Sequence, residues 1–163
     1  MKKRNLILYL FAGVIFLFVA GCNPMKKYEK EEKEQIDRYL MSIGDTVYVK
    51  EPSGLYYLEI EEGTGNMPVQ GDSISFWYKV KFLDGRLFDS NINLDEPVSF
   101  VKDYGQLILG VEEGLQYMKE GGKSKFLTPS FLAYGSQGIW GVLAGYTPLV
   151  WDIELVRVKS NTK

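Results

Sequence analysis

"YKVKFLDGRLFDSN", Tyr78–Asn91, decides the fold: two apolar arms flank an Asp84-Gly85 pair, and a carboxylate closes the second arm. Asp-Gly between apolar runs is a strong hairpin signal. The first arm extends backwards. Ile74, Phe76, Tyr78, Val80 and Phe82 alternate with Ser73, Ser75, Trp77, Lys79 and Lys81, the period of two that marks a half-buried strand. A two-residue turn sets Leu83 opposite Arg86 and Val80 opposite Asp89. Cross-strand partners share a face, so Asp89 falls on the buried side, one pair from Tyr78; a slip of one residue would reverse this. An ionised carboxylate on an apolar face is costly unless it is hydrogen-bonded, and the Tyr78 hydroxyl is the nearest donor. The competing use of Asp89 is to cap the turn that starts at Ser90-Asn91.

Downstream, Val111, Leu115 and Met118 stand at i, i+4 and i+7. They predict a short amphipathic helix with Glu112 and Glu113 in its first turn, where carboxylates suit the helix dipole. Lys123 to Thr128 reads as a strand, and Ser130 to Pro148 as a long glycine-rich loop of the kind that usually carries function. Leu149, Trp151, Ile153 and Leu155 then alternate with polar partners in a final strand. Upstream, Thr46 to Val49 and Leu55 to Ile60 flank Pro52-Ser53-Gly54. Tyr28 to Ile43 predicts a helix, with Ile36, Tyr39, Leu40 and Ile43 at helical spacing and Gly44 placed to end it. The "EKEEKE" run, Glu29 to Glu34, reads as its solvated face. The layout is α+β: an antiparallel sheet, one short helix covering one face, a large loop and an N-terminal helical extension.

Composition narrows the chemistry. The 163 residues suit one domain with an appendage, and 14% are aromatic, which promises a filled core or an aromatic pocket. Histidine is absent, which removes the commonest general base and every Ser-His or Cys-His arrangement. One cysteine, Cys22, allows no internal disulfide and no thiolate metal site. Asp89, Asn91, Asn93 and Asp95 alternate like the first half of a calcium loop, but Leu94 and Phe100 occupy the positions that need glycine and glutamate.

The first residues read as a targeting segment. Lys2, Lys3 and Arg4 precede an apolar run from Leu6 to Val19, short of the about 20 residues that a membrane span needs. The run ends in Val19-Ala20-Gly21-Cys22, which resembles the lipobox of bacterial lipoproteins. That implies a signal peptide over 1–21, acylation of Cys22, and a tether and helix over 22–45 ahead of a domain over 46–160. An uncleaved anchor is the alternative. Either way the expected place is the bacterial cell envelope, outside the cytoplasm, with the lipid anchor in the outer membrane and the domain facing the periplasm or the surface. Cleavage would remove three basic residues and no acidic one, taking the net charge from −2 to −5. Nothing basic remains to suggest nucleic acid.

"FLDGRLFDSN", "LILGVEEGLQYMKEGGKSKFLTP", "AYG" and "TPLVWDIEL", in that order and at closely kept spacing from about Gly63 to Val158, together resemble an FKBP-type peptidyl-prolyl cis-trans isomerase. The resemblance implies a curved antiparallel sheet wrapped around one short helix, with a shallow aromatic pocket between them. It implies catalytic positions at Tyr78, Asp89, Ile108, through its backbone N–H, and Tyr134. Phe88, Val98, Leu107, Val111, Val142, Leu143 and Trp151 would line the pocket. The implied substrates are proline-containing polypeptides, with no cofactor and no metal. Three positions depart from the family pattern. Val111 stands where the pocket floor is usually tryptophan, Val98 where a wall is usually phenylalanine, and Ala144-Gly145 where a Pro-Pro pair is usual. Trp151 stands where the family has the smaller phenylalanine, so its indole is expected to fill the volume that Val111 gives up; Trp140 is the alternative filler. A thinner aromatic lining leaves open a second function, a non-catalytic chaperone or scaffold that grips proline-containing segments.

Overall fold

The computed structural model describes residues 24–44 and 47–160. The basic start, the Leu6 to Val19 run, Cys22 and Thr46 lie outside them. The chain divides into two units after Glu31. The described part of the first is the opening of helix α1, Pro24–Ser42, where Lys27 and Glu31 form an exposed ion pair at 3.8 Å.

In the second unit, seven strands form one antiparallel sheet: β1 Val49–Lys50, β2 Tyr56–Glu61, β3 Ser73–Phe82, β4 Leu87–Ser90, β5 Val98–Val101, β6 Lys123–Thr128 and β7 Leu149–Lys159. Their order is β1-β2-β6-β7-β3-β4, with β5 also paired to β3. The long alternating strand read from the sequence is β3. Ile74, Phe76 and Val80 are buried on its inner face, and Tyr78 and Phe82 are half-buried. The final strand keeps its predicted face too, with Leu149, Trp151, Ile153 and Leu155 buried.

Helix α2, Leu109–Leu115, covers the inner face. It is shorter than the i, i+4, i+7 pattern suggests. After Leu115 the chain tightens into i→i+3 turns, with Tyr117 N–H donating to Gly114 O and Met118 N–H to Leu115 O, and Met118 is still buried there. Two glycines let α2 approach β6 closely: a Cβ on Gly110 would stand 2.5 Å from the Thr128 methyl, and one on Gly114 would stand 2.4 Å from the Phe126 ring.

Helix α1 stops where Gly44, at φ +66°, takes the left-handed conformation that its position predicts. From Glu32 onward it belongs to the second unit. Ile36 is buried with Leu127 and Val150, and Tyr39 and Leu40 pack around them. Leu127 and Val150 are paired on the outer face of the sheet, so an apolar pair interrupts the polar positions of β6 and β7 where α1 covers them. One expectation fails here. The Glu29 to Glu34 run is not a uniformly solvated face: Glu32 is 6% exposed and accepts hydrogen bonds from Ser130 N–H at 2.5 Å and Ser130 Oγ at 2.7 Å. Glu32 precedes Ile36 by four residues and so shares its buried face.

Candidate functional site

The hairpin reaches the expected pairing by an unexpected route. Its loop has three residues, not two: Gly85 N–H donates to Phe82 O, Phe82 N–H to Arg86 O, and Gly85 sits at φ +86°. That extra residue would have turned Asp89 to the outer face. A bulge then restores the register, because Lys81 pairs with Leu87 but Val80 pairs with Asp89, leaving Phe88 as the extra residue. Phe88 thereby stays on the inner side as well. Its ring meets Phe82 edge-on at 5.5 Å and Tyr134 at 6.3 Å between centroids.

Asp89 takes the first use read from the sequence, while the turn after it is capped by Ser90, whose Oγ accepts the Ile92 N–H at 3.2 Å. Oδ2 accepts the Tyr78 hydroxyl at 2.8 Å, and Oδ1 accepts the Ser90 N–H at 2.8 Å. The pair is not buried as expected. Asp89 is exposed and Tyr78 half-buried, because β4 is an edge strand and the pair stands at the mouth of the pocket. Burial, then the hydrogen bond to Asp89 and the charge of that carboxylate, push the Tyr78 hydroxyl up to about 12. Burial, with a smaller push from Asp89, also raises Tyr134. Both phenols are therefore protonated donors at neutral pH.

A pocket of about 380 Å³ opens between the sheet and α2. Tyr78, Asp89, Leu107, Ile108, Val111, Tyr134 and Trp151, all read from the sequence, line it together with Phe76, Phe100 and Gln106. Ile108 is the N-cap of α2, with its carbonyl taken by Val111 N–H and Glu112 N–H. Neither the Ile108 N–H nor the Tyr134 hydroxyl is engaged by another described residue. Both donors are open to a peptide carbonyl.

Trp151 lines the pocket together with Val111. It is 7% exposed and lies between Val80 and Phe126 in the sheet. Its indole N–H donates to Thr128 Oγ1 at 3.1 Å. The methyl of that threonine lies close to Gly110, the residue before Val111. Trp140 is 98% exposed at the tip of a small hairpin closed by Ile139 and Leu143, far from any filling role.

Other assigned residues sit elsewhere. Val98 packs against the core but does not line the pocket; Phe100, two residues on and on the same face of β5, provides the wall. The Phe100 ring lies 5.8 Å from Phe76. Its alternation with Val98 was the available signal, hidden because the strand has only four residues. Phe88 supports Tyr134 from outside the lining. Leu143 is buried in the core, and Val142 is exposed; both border a separate groove with Arg38 and Tyr39 of α1. Asn91, one of the alternating polar residues that mimic a calcium loop, is 2% exposed and bonded to backbone, which leaves it no room for an ion.

Comparison with known proteins agrees with this geometry. Residues 64–156 match the model of the FKBP-type peptidyl-prolyl cis-trans isomerases, and the chain belongs to that family. It is 40% identical over 111 residues to the FKBP-type peptidyl-prolyl cis-trans isomerase FkpA of Escherichia coli, a match that covers 68% of this chain and 40% of FkpA. The chain thus spans about two fifths of the length of that relative. The FK506-binding protein of Neisseria meningitidis is 36% identical over 105 residues, covering 64% of this chain and 96% of its own. The crystal structure of E. coli FkpA superposes with a TM-score of 0.72 at 29% identity, over 99% of this chain and 74% of the other. A peptidyl-prolyl cis-trans isomerase from Pseudomonas syringae pv. tomato superposes at 0.71 and 27% identity, over 86% and 100%.

Proposed function

We propose that this chain isomerises X-Pro bonds in exported polypeptides while held to the bacterial envelope by a lipid on Cys22. The observation that carries the catalytic part is the single pocket that collects Tyr78, Asp89, Ile108, Tyr134 and Trp151. Rotation about an amide costs about 18–20 kcal/mol because the twisted state loses resonance, and uncatalysed X-Pro exchange takes tens to hundreds of seconds. No nucleophile and no proton transfer are required, which suits a pocket of phenols, backbone and apolar surface.

The twisted amide has a less polar carbonyl than the planar one. An apolar aromatic pocket disfavours the planar ground state relative to it. The Ile108 N–H and Tyr134 hydroxyl hold the flanking peptide carbonyls in a turn. Tyr78, fixed by Asp89, shapes the wall. A thousandfold acceleration asks for about 4 kcal/mol. Five aromatic residues line the pocket despite Val98 and Val111, and this supports catalysis over simple gripping of proline segments.

The test is exchange of a short X-Pro peptide with the purified chain, followed by NMR. Acceleration is expected, and most strongly with an apolar residue before proline, because the wall is apolar. A folded chain that binds the peptide without accelerating exchange would establish the chaperone or scaffold reading instead. The envelope location and the anchor rest on the basic start, the apolar run and the Val19-Ala20-Gly21-Cys22 sequence.

A further inference from the structure

The buried contact between Glu32 and Ser130 joins α1 to the segment that carries Tyr134, across 98 positions of sequence. We propose that Glu32 is a positioning residue of the isomerase site, acting through Ser130 on Tyr134; the inference rests on the isomerase reading above.

The chain needs an acceptor at this point. Ser130 opens a 3-10 turn, Ser130–Leu132, whose first N–H has no acceptor inside the turn, and Pro129 before it offers no side-chain cap. Ser130 is 3% exposed, so water does not serve it. Glu32 supplies both missing partners: one carboxylate oxygen takes the Ser130 N–H and the other takes the Ser130 hydroxyl. The carboxylate is itself buried, a costly arrangement unless it is hydrogen-bonded. Ile36, one helical turn on, anchors α1 against Leu127 and Val150 and holds Glu32 at this height.

Ser130 is also the hub of the turn that presents Tyr134. Its carbonyl accepts the Ala133 N–H at 2.8 Å and the Gly135 N–H at 2.7 Å, the residues on either side of Tyr134. Tyr134 O in turn accepts the Gly138 N–H at 3.0 Å. A carboxylate that fixes Ser130 therefore fixes the backbone on both sides of Tyr134, and with it the hydroxyl in the pocket. The part of α1 from Glu32 onward is then more than a spacer between anchor and domain.

A double-mutant cycle on the full chain tests this. Tyr134→Phe is expected to lower kcat/KM about two- to twelvefold, the loss of one hydrogen bond. Glu32→Ala should lower it by a comparable factor. The Glu32→Ala, Tyr134→Phe double variant should be no slower than the worse single one, because the two act through one hydroxyl. Glu32→Gln should restore most of the activity, since its amide oxygen can accept the Ser130 N–H. If Glu32→Ala does not fold, Ser130→Ala, which removes only the hydroxyl bond, replaces it in the cycle. Wild-type activity in Glu32→Ala, or losses that multiply in the double variant, would overturn the proposal. The affinity of the same proteins for an Ala-Leu-Pro-Phe peptide separates the two readings. A wild type that binds the peptide without isomerising it sinks the isomerase reading, while the cycle in Kd still decides the role of Glu32. A wild type that does neither overturns both.

Discussion

The side chain of Asn91 completes the hydrogen bonding of Tyr78: Asn91 Oδ1 accepts the Tyr78 backbone N–H at 2.6 Å, at the place where the edge of the sheet is interrupted. β4 pairs with Lys79 to Lys81 and β5 with Ser73 to Phe76, so the edge partner changes just there. Asn91 Nδ2 also donates to Phe76 O at 2.9 Å. One buried amide thus stands in for two ladder bonds where the edge of the sheet passes from β4 to β5.

Asn91→Ala should therefore destabilise the fold by more than a surface change. It strips two backbone groups of their partners, each worth about 1–3 kcal/mol when buried and unsatisfied. A total of about 2–6 kcal/mol is expected, read as a lowered denaturation midpoint. Asn91→Asp keeps an acceptor for the Tyr78 N–H but loses the donor to Phe76, and introduces a charge at a 2% exposed position; it should be destabilised as well. An unchanged midpoint in Asn91→Ala would show that the interruption is bridged in another way.

Tyr78 sets an alkaline limit. Its hydroxyl titrates at about 12 in the folded chain, against about 10 for a free tyrosine. Between those values the unfolded chain loses the proton while the folded chain keeps it. The contribution of Tyr78 to stability should be constant below about pH 10 and fall as pH rises to about 12. Tyr78→Phe should flatten part of that decline. Stability followed by urea titration at each pH checks this, and identical pH profiles for the two proteins would exclude Tyr78 as a contributor.

Val111 and Trp151 line the same pocket, and the indole N–H of Trp151 is held by Thr128 Oγ1. Val111→Trp alone should overpack the site and cost about 1–3 kcal/mol. Combining it with Trp151→Phe should recover most of that loss, since residues in contact are not additive. Additive losses would mean that the two side chains do not exchange volume.

Cys22→Ser should abolish incorporation of labelled fatty acid and prevent processing of the first 21 residues. Equal labelling of mutant and wild type would rule out acylation at this position.

The period of two in β3 and β7, the Asp-Gly hairpin and the helical spacing of Val111 and Leu115 were all legible in the sequence. These are local patterns, set by backbone geometry over a few residues, and they mark which side chains of each element face inward. The route by which Asp89 arrives was not legible. A three-residue loop and a bulge each shift the register by one, and only the paired strand shows that they cancel. Phe100 replaces Val98 in the wall because β5 lies against β3, while Val142 and Leu143 are drawn away to a groove beside α1. Glu32 sits in a run of charges that reads as solvated, and it is buried because the outer face of β6 and β7 and the turn at Ser130 close over it. Burial depends on which surfaces meet, and a partner 98 positions away leaves no periodic trace in the residues around either end.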